Sequence, residues 1–290
     1  MIKKIADILL STYLFIATSS VSLILTTYLL LDTELRITAV TALIFFSTLL
    51  IYNFHKVSSL LEAVPFSLPA IIKVMNGFPN LTKMMIVIAL AGLLFSATWV
   101  EPKILFTLFP IALITLAYSV PVILLRGKKK RLREIFLVKI TTLSLIWCLA
   151  TVTLPMIENG TTLFSLSSLL IFIERFLFMF AICVPFEIRD MEQEKIRGNI
   201  TLPQRIGIKM CKVTGLVAIL IFMILVCVQF GISTTHSTHL FALPLCASGI
   251  VAAFLILFSD QHRSKYYFRI FVDGTMQLQF ILLLLFNTFR

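Results

Sequence analysis

The feature that most constrains this sequence is a succession of apolar runs, each about 20 residues long, which is the length a helix needs to cross a bilayer. The runs do not alternate between apolar and polar residues, so they predict helices rather than the strands of a membrane barrel. With 59% hydrophobic and 13% charged residues, the composition excludes an ordinary soluble domain, which has ~25% charged residues. Nine transmembrane spans are predicted near 8–31, 37–57, 82–100, 103–125, 134–155, 162–186, 209–231, 238–259 and 267–288.

The basic residues predict how the chain is oriented. Nine spans place nearly all of the 25 Lys and Arg residues on the side of the N-terminus, which the positive-inside rule assigns to the cytoplasm. We therefore expect an integral, multi-pass protein of the cytoplasmic or inner membrane, with a cytoplasmic N-terminus and the C-terminus on the opposite side. Topology accounts for the net charge of +11 without a nucleic-acid partner. No Gly/Ser linker divides the chain, so we expect one transmembrane domain over 1–290, and no protein partner is evident.

The scarce acidic residues are gathered in one place. Of 14 in the chain, four lie within eight positions, at Glu187, Asp190, Glu192 and Glu194. If the sixth span continues as a helix to a stop at Gly198, the spacing places Glu187, Asp190 and Glu194 on one face and turns Glu192 away. Carboxylates so arranged could hold Mg²⁺ together with substrate phosphates.

Arg189 and Arg197 are interleaved with these acids and could add charge-assisted hydrogen bonds to phosphate oxygens. The spacing alone also fits, and by itself favours, a second interpretation, namely a solvated cytoplasmic segment of mixed charge with internal salt bridges.

The string PFEIRDMEQEKIRGNITLPQRIG, residues 185–207, resembles the second aspartate-rich motif of the UbiA superfamily of membrane prenyltransferases. The positions that match without a gap are Glu187, Arg189, Asp190, Glu194, Gly198, Thr201, Leu202, Arg205 and Gly207. The stretch AYSVPVILLRGKKKRLRE, residues 117–134, resembles the Y-S-x-P segment and basic loop of the same superfamily, with Tyr118 and Arg126 as candidate substrate-binding residues.

The first acidic motif of that superfamily is largely missing. Its place is IYNFHKVSSLLE, residues 51–62, where Asn53 fits but the expected acids fall on Val57 and Leu61. Valine and leucine cannot hold a metal ion. Lys56 could instead act as a fixed cation that neutralises a diphosphate oxygen.

The resemblance implies an all-α bundle of nine helices around a central cavity, and Mg²⁺-dependent transfer of a prenyl group from an isoprenoid diphosphate to a lipophilic acceptor. It implies Asp190 and Glu194 as catalytic residues, with Glu187, Asp190 and Glu194 as metal ligands. Asn53, Lys56, Tyr118, Arg126, Arg189 and Arg197 are the implied substrate-binding residues. The basic run RGKKKRLR also predicts contact with anionic membrane lipids.

Two other functions stay open on the sequence. The reduced first motif favours a non-catalytic lipid-phosphate binder or carrier on the same fold. Matching positions of helices 2 and 6 in two halves suggest a transporter, although no matching polar cluster occurs on the outer side.

Overall fold

A computed structural model describes residues 2–60, 77, 79–121, 123–125, 128–231 and 241–288. The described part is almost entirely helical, which confirms the all-α class. Its helices are α1 Ile2–Ser11, α2 Leu14–Leu30, α3 Ala39–Leu60, α4 Asn80–Ala97, α5 Pro102–Ser119, α6 Val138–Glu158, α7 Leu166–Ile196, α8 Leu202–Ile206, α9 Ile208–Gly231, α10 Ala242–Leu257 and α11 Tyr267–Asn287. A π-helical turn interrupts α6 at Leu149–Thr153, and another opens α11 at Tyr267–Val272.

Length and hydropathy qualify seven of the described helices as membrane spans: α3, α4, α5, α6, α7, α9 and α11. The bent pair α1 and α2 makes an eighth if it is one span, and α10 is apolar but only 16 residues long. Each of the nine predicted segments thus coincides with a helical segment, whereas the count of nine spans is not itself established. The chain is a polytopic membrane protein.

The first predicted span, 8–31, is not one straight helix. The axes of α1 and α2 differ by 75°, and Tyr13 between them has a φ of 61°. The last carbonyl groups of a helix have no partner within it, and here two side chains supply partners: Asn53 Nδ2 donates to Thr12 O at 3.0 Å and Arg269 Nη1 donates to Leu10 O at 3.4 Å. Contacts from α3 and α11, distant in sequence, therefore end α1.

A short hairpin was not expected from the sequence. The predicted span 103–125 ends early because Pro121 follows Val120, which is already extended. Beyond it, Ile123–Leu125 pairs antiparallel with Lys128–Lys130.

The spanning helices enclose a central space. Helix α2 packs on α3 and α11, α7 packs on α6 and α9, and α10 lies between α9 and α11. Helix α5 contacts α3 and α6, which closes the ring, while α4 packs mainly against α3. Because successive spans alternate in direction, the C-terminal ends of α3, α5 and α7 meet the N-terminal ends of α6 and α11 at one face.

Helix α7 is the longest element, with 31 residues. At ~1.5 Å per residue it measures about 46 Å, whereas the apolar core of a bilayer is ~30 Å thick. The C-terminal turns of α7 must therefore project beyond the apolar layer. These turns carry the acidic cluster, as the sequence predicts.

Helix α7 stops at Gly198, as expected. Gly198 has a φ of +75°, its N–H donates to Lys195 O at 3.0 Å, and Asn199 N–H donates to Glu194 O at 2.9 Å. This is the Schellman arrangement, in which a residue with positive φ lets the chain turn back and satisfies the last carbonyl groups.

We expect Gly198→Ala to lower the free energy of unfolding by about 1 kcal/mol or more, because alanine is strained at positive φ. Thermal unfolding in detergent measures this. The control is Gly274→Ala within α11, where a new Cβ would meet only Phe15 Cζ at an ordinary 3.6 Å. Equal stability of the two variants would contradict the strained turn.

Candidate functional site

A cavity of about 700 Å³ lies between α2, α3, α5, α6, α7 and α11. Most of its wall is apolar, including Ile16, Ile44, Ile111, Met179 and Met276. Such a wall suits a hydrocarbon chain, since pockets for apolar ligands are lined mainly by apolar side chains.

The polar groups of the cavity gather at the face where the helix ends meet. Its basic side chains come from the short turn Leu132–Glu134 before α6, the first turn of α6, the end of α7 and the start of α11, and they are Arg133, Lys139, Arg189, Arg197 and Arg269. Its acidic side chains come from α7 and α11, and they are Glu187, Asp190, Glu194 and Asp273. One end of the cavity can therefore bind a charged head group while the rest holds an apolar tail.

The three acids predicted to share one face of α7 do line this cavity, and Glu192 is exposed outside it. Each of the three is paired with a base. Glu187 is buried, and its Oε1 lies 2.8 Å from Lys139 Nζ. Glu194 accepts from Arg197 at 3.2 Å and from Asn199 Nδ2 at 2.8 Å.

Asp190 is shared between two cations. Arg189 donates to both of its carboxylate oxygens, at 2.7 and 3.2 Å, and Lys139 Nζ lies 3.8 Å from Oδ2. The guanidinium of Arg189 also lies over the rings of Phe186 and Phe268, 4.8 and 5.3 Å from their centroids. These aromatic contacts hold the planar cation at the edge of the cavity.

Aromatic side chains form one wall below the charged end. Tyr13 and Tyr52 have centroids 5.7 Å apart, Tyr52 and His55 6.2 Å, and His55 and Tyr118 6.0 Å. Tyr118 is buried and lines the cavity, as its candidate role requires.

The two candidates from the first motif lie elsewhere. Asn53 is fully buried, and its Nδ2 donates to Leu49 O at 2.9 Å as well as to Thr12 O. Lys56 Nζ donates to Thr82 Oγ1 of α4 at 3.3 Å. Neither is among the described residues that line the cavity, so their roles in substrate binding stay predictions.

Parts of two predicted motifs cannot be placed. Arg126, Leu61 and Glu62 fall outside the described residues.

Sequence reasoning did not assign Lys139 or Arg269 to the site. Lys139 carried a usable signal, because a lysine inside an apolar span needs an acidic partner or access to the interface. Which acid it would meet depends on how α6 packs against α7, and the sequence does not give that.

The oxygen donors fit one Mg²⁺ ion. Within the described ranges, no three His, Cys, Asp or Glu side chains lie close enough together to hold a metal ion. Mg²⁺ in phosphate sites, however, uses one or two carboxylates with water and substrate oxygens. Asp190 and Glu194 stand one turn apart along the same wall of the cavity and meet that need.

The remainder of the 185–207 motif builds the turn that follows α7. Thr201 begins α8, its N–H donates to Gln204 Oε1 at 3.0 Å, and Leu202 is buried. Arg205 lies over the ring of Phe136, 4.8 Å from its centroid, and Gly207 has a φ of +83° before α9 begins. These positions orient the end of α7, which carries the acids.

The fold is that of a UbiA homolog from Archaeoglobus fulgidus. One of its structures superposes with a TM-score of 0.65 at 13% identity, over 98% of this chain and 99% of that one. The structure bound to GPP and Mg²⁺ gives a TM-score of 0.63 at 14% identity, over 96% and 99% of the two chains. The structure bound to DMAPP and Mg²⁺ gives 0.61 at 14% identity, over 96% and 100%.

No protein-family profile matches the sequence, and no curated protein sequence matches it. The resemblance found at 185–207 is thus confirmed at the level of the fold. The chain is an all-helical, multi-pass membrane protein with the UbiA architecture.

The contacts of Asn53 give a testable result. We expect Asn53→Ala to lower the free energy of unfolding without ligand by about 1–3 kcal/mol, because a bond between α1 and α3 is lost within a buried site. Thermal unfolding in detergent measures the effect.

The matched control is Asn159→Ala. Asn159 Nδ2 donates only to Pro155 O at 2.9 Å, within its own helix end. An Asn53 variant as stable as this control would show that the capping of α1 is dispensable.

Proposed function

We propose that this chain transfers a prenyl group from an isoprenoid diphosphate to a lipophilic acceptor in the membrane, with Mg²⁺ as cofactor. The observation that carries the proposal is a cavity that combines a charged end on α7 with an apolar wall beneath it. The Archaeoglobus fulgidus homolog with this fold is bound to GPP or DMAPP and Mg²⁺ in two of its structures. This supports the same substrate class here.

Asp190 and Glu194 are the residues that would hold Mg²⁺, with Glu187 as the third ligand implied by the sequence. Bound there, the ion would stabilise the charge that develops on the departing diphosphate. Arg189, placed between two aromatic rings, would donate two parallel hydrogen bonds to phosphate oxygens in place of those it makes to Asp190. Arg197 would do the same from the following turn.

The aromatic wall suits the other half of the substrate. As the bond to the diphosphate breaks, positive charge develops on the allylic carbon, and the faces of Tyr52 and Tyr118 stabilise a nearby cation. The apolar wall excludes water, which would otherwise capture that carbon before the acceptor attacks.

In this proposal the charged end of the cavity faces the cytoplasm, because the basic residues of the chain collect on that side.

A second candidate is a lipid-phosphate binding protein that performs no transfer. It is favoured by Asn53, whose amide nitrogen caps α1 and whose motif lacks the acids expected at 57 and 61. Binding without chemistry would need the basic residues of the cavity but not Asp190.

Pyrophosphate release distinguishes the two candidates. The protein in lipid nanodiscs receives prenyl diphosphates of several chain lengths and an extract of native lipids, with and without Mg²⁺. We expect release by the native protein to require Mg²⁺ and to fall about 100-fold or more in Asp190→Asn, since one ligand of the ion is lost.

Glu192→Gln is the matched control, because Glu192 lies on the same helix but is exposed outside the cavity. It should retain release. Equal loss in both variants would contradict the one-face arrangement, and saturable diphosphate binding without release would favour the binding protein.

A further inference from the structure

We propose that Lys139 is a fixed, protein-supplied cation of the diphosphate site and that Glu187 is its counter-ion rather than a ligand of Mg²⁺. The inference rests on the proposed function and deepens it. It assigns a diphosphate-binding residue that the 185–207 motif does not contain.

The position of Lys139 carries the argument. Its Nζ lies 2.8 Å from Glu187 Oε1 and 3.8 Å from Asp190 Oδ2, so a positive charge already stands between the two carboxylates. A metal ion bound by Glu187 would have to displace that ammonium group. The displaced charge would then lack its partner in a site where the lysine side chain is only 20% exposed, which is strongly unfavourable.

Glu187 is even less accessible than its partner. Its side chain is 6% exposed, whereas that of Asp190 is 25% exposed and that of Glu194 is 15% exposed. Removing one member of a buried ion pair leaves an uncompensated charge, so each group holds the other in place. Asp190 and Glu194 are paired as well, but with Arg189 and Arg197, whose side chains are 32% and 43% exposed and can turn to water when a metal ion binds. They are the acids left to hold a metal ion.

The backbone before Lys139 is set in an unusual conformation. Leu137 has a φ of 62°, which is rare for a bulky side chain. It precedes Val138, the first residue of α6, so Lys139 enters the cavity from the first turn of the helix. Conformations of this kind persist where the surrounding structure fixes them, often at binding sites.

An ammonium group has three donors. Glu187 is the near partner of Lys139, and Asp190 at 3.8 Å is a looser one that Arg189 already binds with two hydrogen bonds. Lys139 therefore retains donor capacity at the wall of the cavity. The ligand that this arrangement fits is a diphosphate, whose oxygens accept from a compact point charge.

The pair can be tested by removing both charges together. Replacing both members of a buried ion pair by neutral groups is often nearly neutral for stability, so Lys139→Met/Glu187→Gln should fold even if Lys139→Met alone does not. Thermal unfolding establishes the folded state of each variant. Affinity is then measured in nanodiscs for geranyl and geranylgeranyl thiolodiphosphates, which resist cleavage, in the presence of Mg²⁺.

The matched control is Lys103→Met. Lys103 Nζ lies 2.8 Å from Glu101 Oε2, the same separation as in the Lys139 pair, but both side chains are exposed and outside the cavity. We expect the double variant to bind the thiolodiphosphates about 10- to 100-fold more weakly than the native protein, because a hydrogen bond to a charged group is lost. The control should bind them like the native protein.

The metal arm of the test uses Mn²⁺ and electron paramagnetic resonance. Lys139→Met/Glu187→Gln, which leaves no unpaired lysine beside Asp190, should keep Mn²⁺ affinity within about twofold, whereas loss of a true ligand or its support costs about 10- to 100-fold. A tenfold loss would make Glu187 a metal ligand and overturn the proposal.

The other outcomes are equally decisive. A folded double variant with native thiolodiphosphate affinity would make the pair structural only, and the proposed function would stand. A native protein that binds neither thiolodiphosphate would overturn the proposed function and this inference together.

Discussion

Charges beside a bilayer need partners, and this constraint decides how the charged end of the cavity is built. Lys139, Arg189 and Arg197 are each paired with an acid of α7. Lys139 is mostly buried, and an unpaired charge there would cost several kcal/mol, whereas the side chains of Arg189 and Arg197 are 32% and 43% exposed and gain less from their partners. A phosphorylated ligand must therefore take its hydrogen bonds from pairs that already exist. When a ligand takes a hydrogen bond from one of these cations, the acid paired with that cation loses part of its interaction. Ligand binding is therefore most favourable where the acid gains another cation at the same time.

The sequence placed the acids correctly because helical periodicity depends only on local geometry. Residues that are three or four positions apart along α7 lie on the same face of the helix. Gly198 ends the helix through its own positive φ. Each of the nine apolar runs likewise coincides with a helical segment of the described chain, since lipid leaves the backbone few alternatives, whereas the short α8 lies outside these runs.

Sequence reasoning fell short mainly where a tertiary contact decides the structure, although the early end of α5 before Pro121 has a local cause. The first span breaks because Asn53 and Arg269, far along the chain, bind the carbonyl groups that end α1. The same contacts give Asn53 a structural role beside the binding role its motif implied. Lys139 was visible as a charge within a span, but its meeting with Glu187 requires the packing of α6 on α7.

The reduced first motif and the basic cavity belong to one electrostatic problem. A diphosphate carries several negative charges that must be neutralised in a poorly solvated site. Carboxylates achieve this indirectly, by holding divalent ions, and side-chain cations achieve it directly. Positions 57 and 61 hold valine and leucine where the resemblance implies acids, while the cavity wall carries arginines and Lys139 from three helices. A site with fewer metal ligands and more fixed cations can neutralise the same diphosphate charge as a site that holds more metal ions. The difference is that a lysine anchored by Glu187 is in place before any metal ion binds.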